Sequence, residues 1–213
     1  MKKVLLLTLP LALICTSCSL FGGTSESFTI GAGETGIYID DDGKVLYSFA
    51  EDFGKDYYNK DDLKKIIEDE ISSFNSKNSK DAELDEFDVD DNVAKAKIEF
   101  DSTDDFITYR KQFEGASETD MFIGSIKSAL SNGFDISGEF IKVDDGKVTK
   151  DVEISSIITG LDEEIVIVHN RVKLEIKDAK IEYVSSNCKI NDGVVTVEEQ
   201  NSEYEVAYVV YSK

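Results

Sequence analysis

The chain has 213 residues, 41% of them hydrophobic and 10% aromatic, which is enough apolar material for one folded domain or two small ones. Asp and Glu number 44 against 23 Lys and Arg, a formal net charge of −21. That acid excess excludes recognition of a phosphate backbone, so no nucleic-acid partner is expected, and one His with no Trp narrows the catalytic and sugar-stacking options.

At the N-terminus, Lys2 and Lys3 precede an apolar run from Val4 to Ile14, broken only by Thr8 and Pro10. A run of about 11 residues falls short of the roughly 20 that a spanning helix needs, and it reads as a secretory signal peptide. The following Cys15-Thr16-Ser17-Cys18-Ser19 resembles the signal of bacterial lipoproteins, in which a small residue precedes the cysteine that takes a diacylglycerol and becomes the new N-terminus. Ser17 before Cys18 fits that pattern and Ile14 before Cys15 does not; Cys15 itself stands where Leu is usual. The resemblance implies a signal peptide over 1–17, lipid (palmitate among its chains) on Cys18, a small polar tether over 18–27, and an exported body anchored to the outer face of the cell membrane. Each buried methylene contributes about 0.8 kcal/mol, so two or more chains hold a protein stably on a bilayer. Cleavage before Cys18 removes Lys2 and Lys3, leaving 21 basic against 44 acidic residues and a net charge of −23.

The body is expected to be α+β, with an α+β region over 28–135 and a β-rich region over 136–213, the two separate or continuous. Thr35–Ile39 and Lys44–Phe49 flank Asp40-Asp41-Asp42-Gly43, and Asp-Gly between two β-rich runs predicts a hairpin. Leu63, Ile66, Ile67, Ile71 and Phe74 recur at helical spacing over Lys60–Asn75, with Asn59 as N-cap and Asp61 and Asp62 in the first turn. Ser76–Asp91 is acidic and reads as an exposed loop. Val93–Phe100 sets Lys95, Lys97 and Glu99 against Ala94, Ala96, Ile98 and Phe100, the alternation of a half-buried strand. Ser102 opens a capping sequence ahead of Phe106, Tyr109, Arg110 and Phe113, and Ser125–Ser131 predicts a short helix closed by Asn132-Gly133.

Beyond Gly133 the pattern turns to strands. Glu139–Val143 and Lys147–Ile154 flank Asp144-Asp145-Gly146, and further runs follow at Ile165–Val168, Val172–Ile176, Ile181–Val184, Val194–Val197 and Tyr204–Tyr211, with a third turn at Asn191-Asp192-Gly193. Asp-Asp-Gly-Lys-Val occurs at 41–45 and again at 144–148, and recurrent turn chemistry is favoured over a duplicated module.

Two stretches carry a wider resemblance. The first is the hairpin followed by Glu51-Asp52-Phe53, Asp56-Tyr57-Tyr58 and the acidic helix; the second is Lys97–Phe106 leading into Met121-Phe122-Ile123-Gly124 and Ser128–Phe134. They are similar to small lipoproteins of Gram-positive, clostridial-type bacteria. That group has no settled activity, so the resemblance implies location and carries no catalytic residue across.

Candidate chemistry is sparse. His169 lies between two β-runs and reads as a turn or strand-end residue, and Cys188 is the only cysteine beyond the signal, without a Cys-x-x-Cys partner. A Cys188–His169 dyad lacks any oxyanion context, and Cys188 reads as a buried small residue. Asp40-Asp41-Asp42-Gly43 fails as a calcium loop, because Tyr38 and Phe49 fall at its first and last ligand positions. Asp88, Asp90, Asn92 and Glu99 form the weak metal candidate at positions one, three, five and twelve, but Val93 stands where such a loop needs Gly. Arg110 and Arg171, the only arginines, read as structural ion pairs. Tyr204 and Tyr208 share a strand face and read as packing residues. No catalytic residue and no cofactor is assigned.

The reading is a lipid-anchored, non-catalytic binding module of the cell envelope, with the membrane as one partner through Cys18 and an envelope protein as the other. Two further classes stand beside it. One is an envelope hydrolase using carboxylates that the sequence does not single out; the other is a small solute-binding lipoprotein, disfavoured because the body is short for two lobes around a cleft.

Overall fold

Most of the fold follows from short turns that admit left-handed backbone. In the computed structural model the residues described are 30–116, 120–152, 157, 163–169, 171–198 and 206–213. They form a mixed α+β fold rich in strands: β1 (Glu34–Ile39), β2 (Val45–Asp52), α1 (Lys60–Asn78), β3 (Glu83–Asp90), β4 (Val93–Phe100), α2 (Thr103–Phe113), β5 (Met121–Ser125), α3 (Ile126–Ser131), β6 (Phe140–Asp144), β7 (Lys147–Val152), β8 (Glu164–Val168), β9 (Lys173–Ile176), β10 (Lys180–Ser185), β11 (Cys188–Asn191), β12 (Val194–Val197) and β13 (Ala207–Ser212). Three hairpins close on two residues that both have positive φ: Asp91-Asn92, Asp145-Gly146 and Asp192-Gly193. This mirror-image turn matches the right-handed twist of its strands.

The strands make two sheets, one of order β11-β12-β9-β1-β2-β4-β3 and one of order β5-β8-β13-β10-β6-β7. Every pairing is antiparallel except β1 with β9, which runs parallel from Gly36 opposite Lys173 to Ile39 opposite Ile176. Register places Ile37 and Ile39, Val45 and Tyr47, Ile98 and Phe100, and Leu174 and Ile176 on one face of the first sheet. Phe74 of α1 and Phe106 and Tyr109 of α2 pack on that face around Phe100, while Val166, Val168, Val184 and Val209 of the second sheet join the same core. On the other face of the second sheet, Ile165, Ile167, Phe140, Tyr208 and Val210 are buried with Ile126 and Ala129 of α3 and with Ile136 and Ile157. Burial on both faces explains why β8 and β13 read as unbroken apolar runs, Glu-Ile-Val-Ile-Val and Ala-Tyr-Val-Val-Tyr, rather than as alternation.

Helix ends obey local chemistry. The Asn59 side chain accepts from the amides of Asp61 and Asp62 at α1, Ser102 from Asp105 at α2, and Ser125 from Ser128 at α3. α1 runs three residues past the expected Asn75 and ends at Ser79 in the left-handed region, φ 53°. Asn75 then clamps Ala82, donating Nδ2 to its carbonyl and accepting its amide, both at 2.8 Å.

Two expectations need correction. The supposed loop at Ser76–Asp91 is the end of α1 followed by β3, an edge strand in which Leu84, Phe87 and Val89 are half-buried between acids. Its charges and a register shift between Leu84 and Glu86 keep the edge from pairing further. Ile66, placed on the apolar face of α1, is 54% exposed, because the buried stripe is Ile67, Ile71 and Phe74. The two regions meeting at 135/136 share both sheets: β9, β11 and β12 complete the first, and β5 joins the second. Among the described residues no helix is long and apolar enough to cross a membrane. The signal segment, Cys18 and the 18–27 tether lie outside the described residues, as do Asn170 and Tyr204.

Candidate functional site

The most developed site is a cleft of about 370 Å³ where β1 and β2, the end of α2 and the β8–β9 link meet. Its floor is the buried side chains of Ile37, Val168 and Val172 with the Tyr47 ring. Both arginines of the chain line it, Arg110 from the last turn of α2 and Arg171 from the link between the sheets.

Each arginine is paired with a glutamate. Arg110 Nε donates to Glu114 Oε2 at 2.8 Å, the i,i+4 pairing available at a helix C-terminus. Tyr47 Oη donates to the other oxygen of the same carboxylate, Oε1, at 2.6 Å. Burial of Tyr47, and then the Glu114 charge beside it, push its phenol above the ordinary tyrosine range, so it stays a donor at all physiological pH. Behind the cleft, on the opposite face of β1 from Thr35 and Ile37, Glu34 Oε2 accepts from Lys173 Nζ at 2.8 Å and from the Gly31 amide at 2.6 Å, and Glu34 Oε1 lies 3.6 Å from Arg171 Nη2. The Lys173 and Gly31 hydrogen bonds hold the Glu34 carboxyl below its usual value.

The arrangement presents hydrogen-bond donors rather than a free base. All four oxygens of Glu34 and Glu114 face cations or donors, so neither carboxylate is poised to take a proton from a substrate. Among the described residues the guanidinium groups retain donors: Arg110 Nη1 meets only the Met121 thioether, at 3.6 Å, although its side chain is just 13% exposed.

The other candidates disperse. Asp88 and Asp90 lie on β3 and Asn92 in the turn, while Glu99 sits at the far end of β4, about 20 Å along the strand from Val93. Asp88 pairs with Lys60 at 3.0 Å and Glu99 with Lys44 at 2.8 Å, so the four do not form a cation shell. Carboxylate oxygens of Asp40, Asp41 and Asp42 do converge within 4.8 Å. Turn chemistry accounts for them: Asp40 Oδ1 accepts the Lys44 amide at 2.8 Å and Asp41 accepts Lys177 Nζ at 2.7 Å.

Cys188 is buried on β11, with Ser185 Oγ at 3.6 Å and Asn187 Oδ1 at 3.9 Å from its sulfur, and burial pushes the thiol up to about 11. His169 is exposed, and its amide donates to the Asp120 carbonyl at 3.0 Å. Tyr208 and Tyr211 are buried on opposite faces of β13. Glu163 and Glu182 interact electrostatically. Burial, and then Glu182, raise Glu163, whereas the Lys180 and Ser212 hydrogen bonds outweigh burial to lower Glu182.

Two further cavities accompany the cleft. One of about 320 Å³ lies against α2 and β5, and one of about 450 Å³ lies among the turns at Asp145, Asp178 and Gly193. Sequence reasoning noted each arginine but did not unite them; scarcity of arginine beside abundant lysine was the available signal.

No protein-family model, curated protein or solved structure gives a significant match to this chain.

Proposed function

We propose that the protein is a lipoprotein anchored to the outer face of the cell membrane through lipid on Cys18, and that its body is a non-catalytic binding module of the envelope. The observation that carries the anchor is the order of basic, apolar and small residues ending at Ser17-Cys18, which resembles a lipoprotein signal. Support for binding rather than catalysis comes from the arginine cleft, whose one glutamate, Glu114, is spent on Arg110 and Tyr47 and whose floor is apolar. The body is read as antiparallel hairpins with its helices grouped in the first half and a β-rich second half.

Membrane fractionation with palmitate labelling tests the anchor. The parent protein is expected in the membrane fraction and labelled, and Cys18→Ser is expected soluble and unlabelled; a variant retained on the membrane overturns the anchor. Crosslinking in intact cells, followed by mass spectrometry, tests the binding role. One envelope protein recovered in near-stoichiometric amount supports it.

A hydrolase is the second reading, favoured by Glu163, whose Oε2 is buried without a hydrogen-bond partner among the described residues and whose carboxyl is raised by burial and by Glu182. Hydrolysis of an envelope glycan that disappears in both Glu163→Gln and Glu182→Gln would establish it.

A further inference from the structure

We infer that the arginine cleft binds a peptide C-terminal carboxylate, with Arg110 and Arg171 as its recognition groups. The inference deepens the binding role proposed above and rests on it, but not on the lipid anchor.

Three observations converge. The chain has 21 lysines and two arginines, and both arginines line one cleft from separate parts of the fold. Elsewhere lysine supplies the surface ion pairs; arginine adds a planar fork that matches a carboxylate in two parallel hydrogen bonds. Among the described residues the partners of these donors are also incomplete. A guanidinium has five N–H groups, and Glu114 takes the Nε donor of Arg110 while Nη1 faces a thioether, a weak acceptor. Arg171 stands 3.6 Å from Glu34, beyond hydrogen-bonding distance, with half its side chain open to solvent. Finally, the floor of Ile37, Val168 and Val172 is apolar, and a cleft of about 370 Å³ accepts one or two small residues. An apolar body with a terminal acid satisfies both floor and walls, whereas a bare inorganic anion leaves the floor wet.

The test is ligand-detected NMR titration of N-acetyl-alanyl-alanine onto the full-length chain in detergent, with the C-terminal amide of the same peptide and inorganic phosphate as comparisons. The acid is expected to bind at least about tenfold tighter than the amide, and Arg110→Gln and Arg171→Gln each to lose about tenfold or more, the scale of a charge-assisted hydrogen bond. Lys189→Gln, on the edge strand β11, is expected to bind as the parent does. Arg171→Gln keeps the test decisive if Arg110→Gln unfolds, because Arg171 is half-exposed and, among the described residues, makes only the long contact to Glu34. Equal binding of acid and amide, equal binding of phosphate, or no binding by a protein whose thermal melt is intact would each overturn the inference.

Crosslinking in cells separates this inference from the broader one. A partner protein recovered with the parent and lost with Arg171→Gln identifies the terminus as that partner's tail; peptide binding without a recovered protein identifies a free peptide. A partner recovered equally with parent and variant leaves the binding role standing and removes this cleft from it.

Discussion

Tyr47 donates its hydroxyl hydrogen to Glu114 Oε1 at 2.6 Å, joining β2 to the end of α2 across 67 residues of chain. The phenol is nearly buried, its ring lies 5.1 Å from Phe106, and the carboxylate is shared with Arg110. Removing the hydroxyl in Tyr47→Phe strips one charge-assisted bond and is expected to cost about 1.5–3 kcal/mol. In a chain of this size each kcal/mol lowers Tm by about 2–4 °C, so calorimetry on the variant resolves it. The fold opposes Tyr47 ionisation and the unfolded chain does not. The contribution is therefore complete below the ordinary tyrosine value of 10.0 and lost as pH climbs above it.

Glu34 and Glu163 give stability opposite dependences on pH. Glu34 is lowered by the Lys173 hydrogen bond, so its contribution is present above the ordinary value of 4.5 and lost as pH falls through its folded pKa. Glu34→Gln is expected to be less stable than the parent at pH 7 and to converge with it in acid. Glu163 is raised by burial, so its contribution is complete below 4.5 and declines as pH rises through its folded pKa. Glu163→Gln is expected to melt higher than the parent at pH 7, again converging in acid. Denaturant titrations at pH 3, 5 and 7 check both; parallel curves for either variant contradict the assignment.

Cys188 is expected to be chemically silent in the native protein. With the thiol buried and pushed up to about 11, little thiolate exists at pH 8 and little of that is reachable. Alkylation by iodoacetamide, followed by mass spectrometry of the peptide, should proceed slowly in buffer and readily in denaturant. Fast native labelling would place the sulfur at the surface.

The hairpin at Asp91-Asn92 makes a local prediction. Asn92 has φ 61°, a conformation that Asn and Gly tolerate and a β-branched side chain resists. Asn92→Val is expected to lose about 1–2 kcal/mol, while Asn92→Gly should stay close to the parent in the same denaturant titration.

That turn also shows what sequence patterning could and could not reach. Asp145-Gly146 and Asp192-Gly193 carry the dipeptide that signals a tight hairpin, and both turns fall at the expected places. Asp91-Asn92 adopts the same backbone without glycine, so β3 was hidden inside an acidic stretch that resembles a loop. The Glu-Ile-Val-Ile-Val run identified β8 by composition alone, since burial on both faces needs no alternation. The cleft was illegible for a different reason. Arg110 and Arg171 meet only because α2 leaves the first sheet and the β8–β9 link returns to it, and no local pattern encodes a meeting of that kind.

The parallel neighbour of β1 constrains the order in which the molecule can be built. β1 lies between β2, its immediate successor, and β9, which is not synthesised until residues 173–176. A nascent chain that has emerged as far as residue 135 holds β5 without any other strand of the second sheet. Neither sheet can therefore close before the second half of the chain is made, and the long sequence separation of these pairings slows their formation. Excess negative charge meanwhile disfavours collapse and clumping of the waiting chain. Synthesis of the first half thereby runs ahead of sheet closure, leaving an interval in which the open sides of β1 and β5 wait for neighbours not yet made.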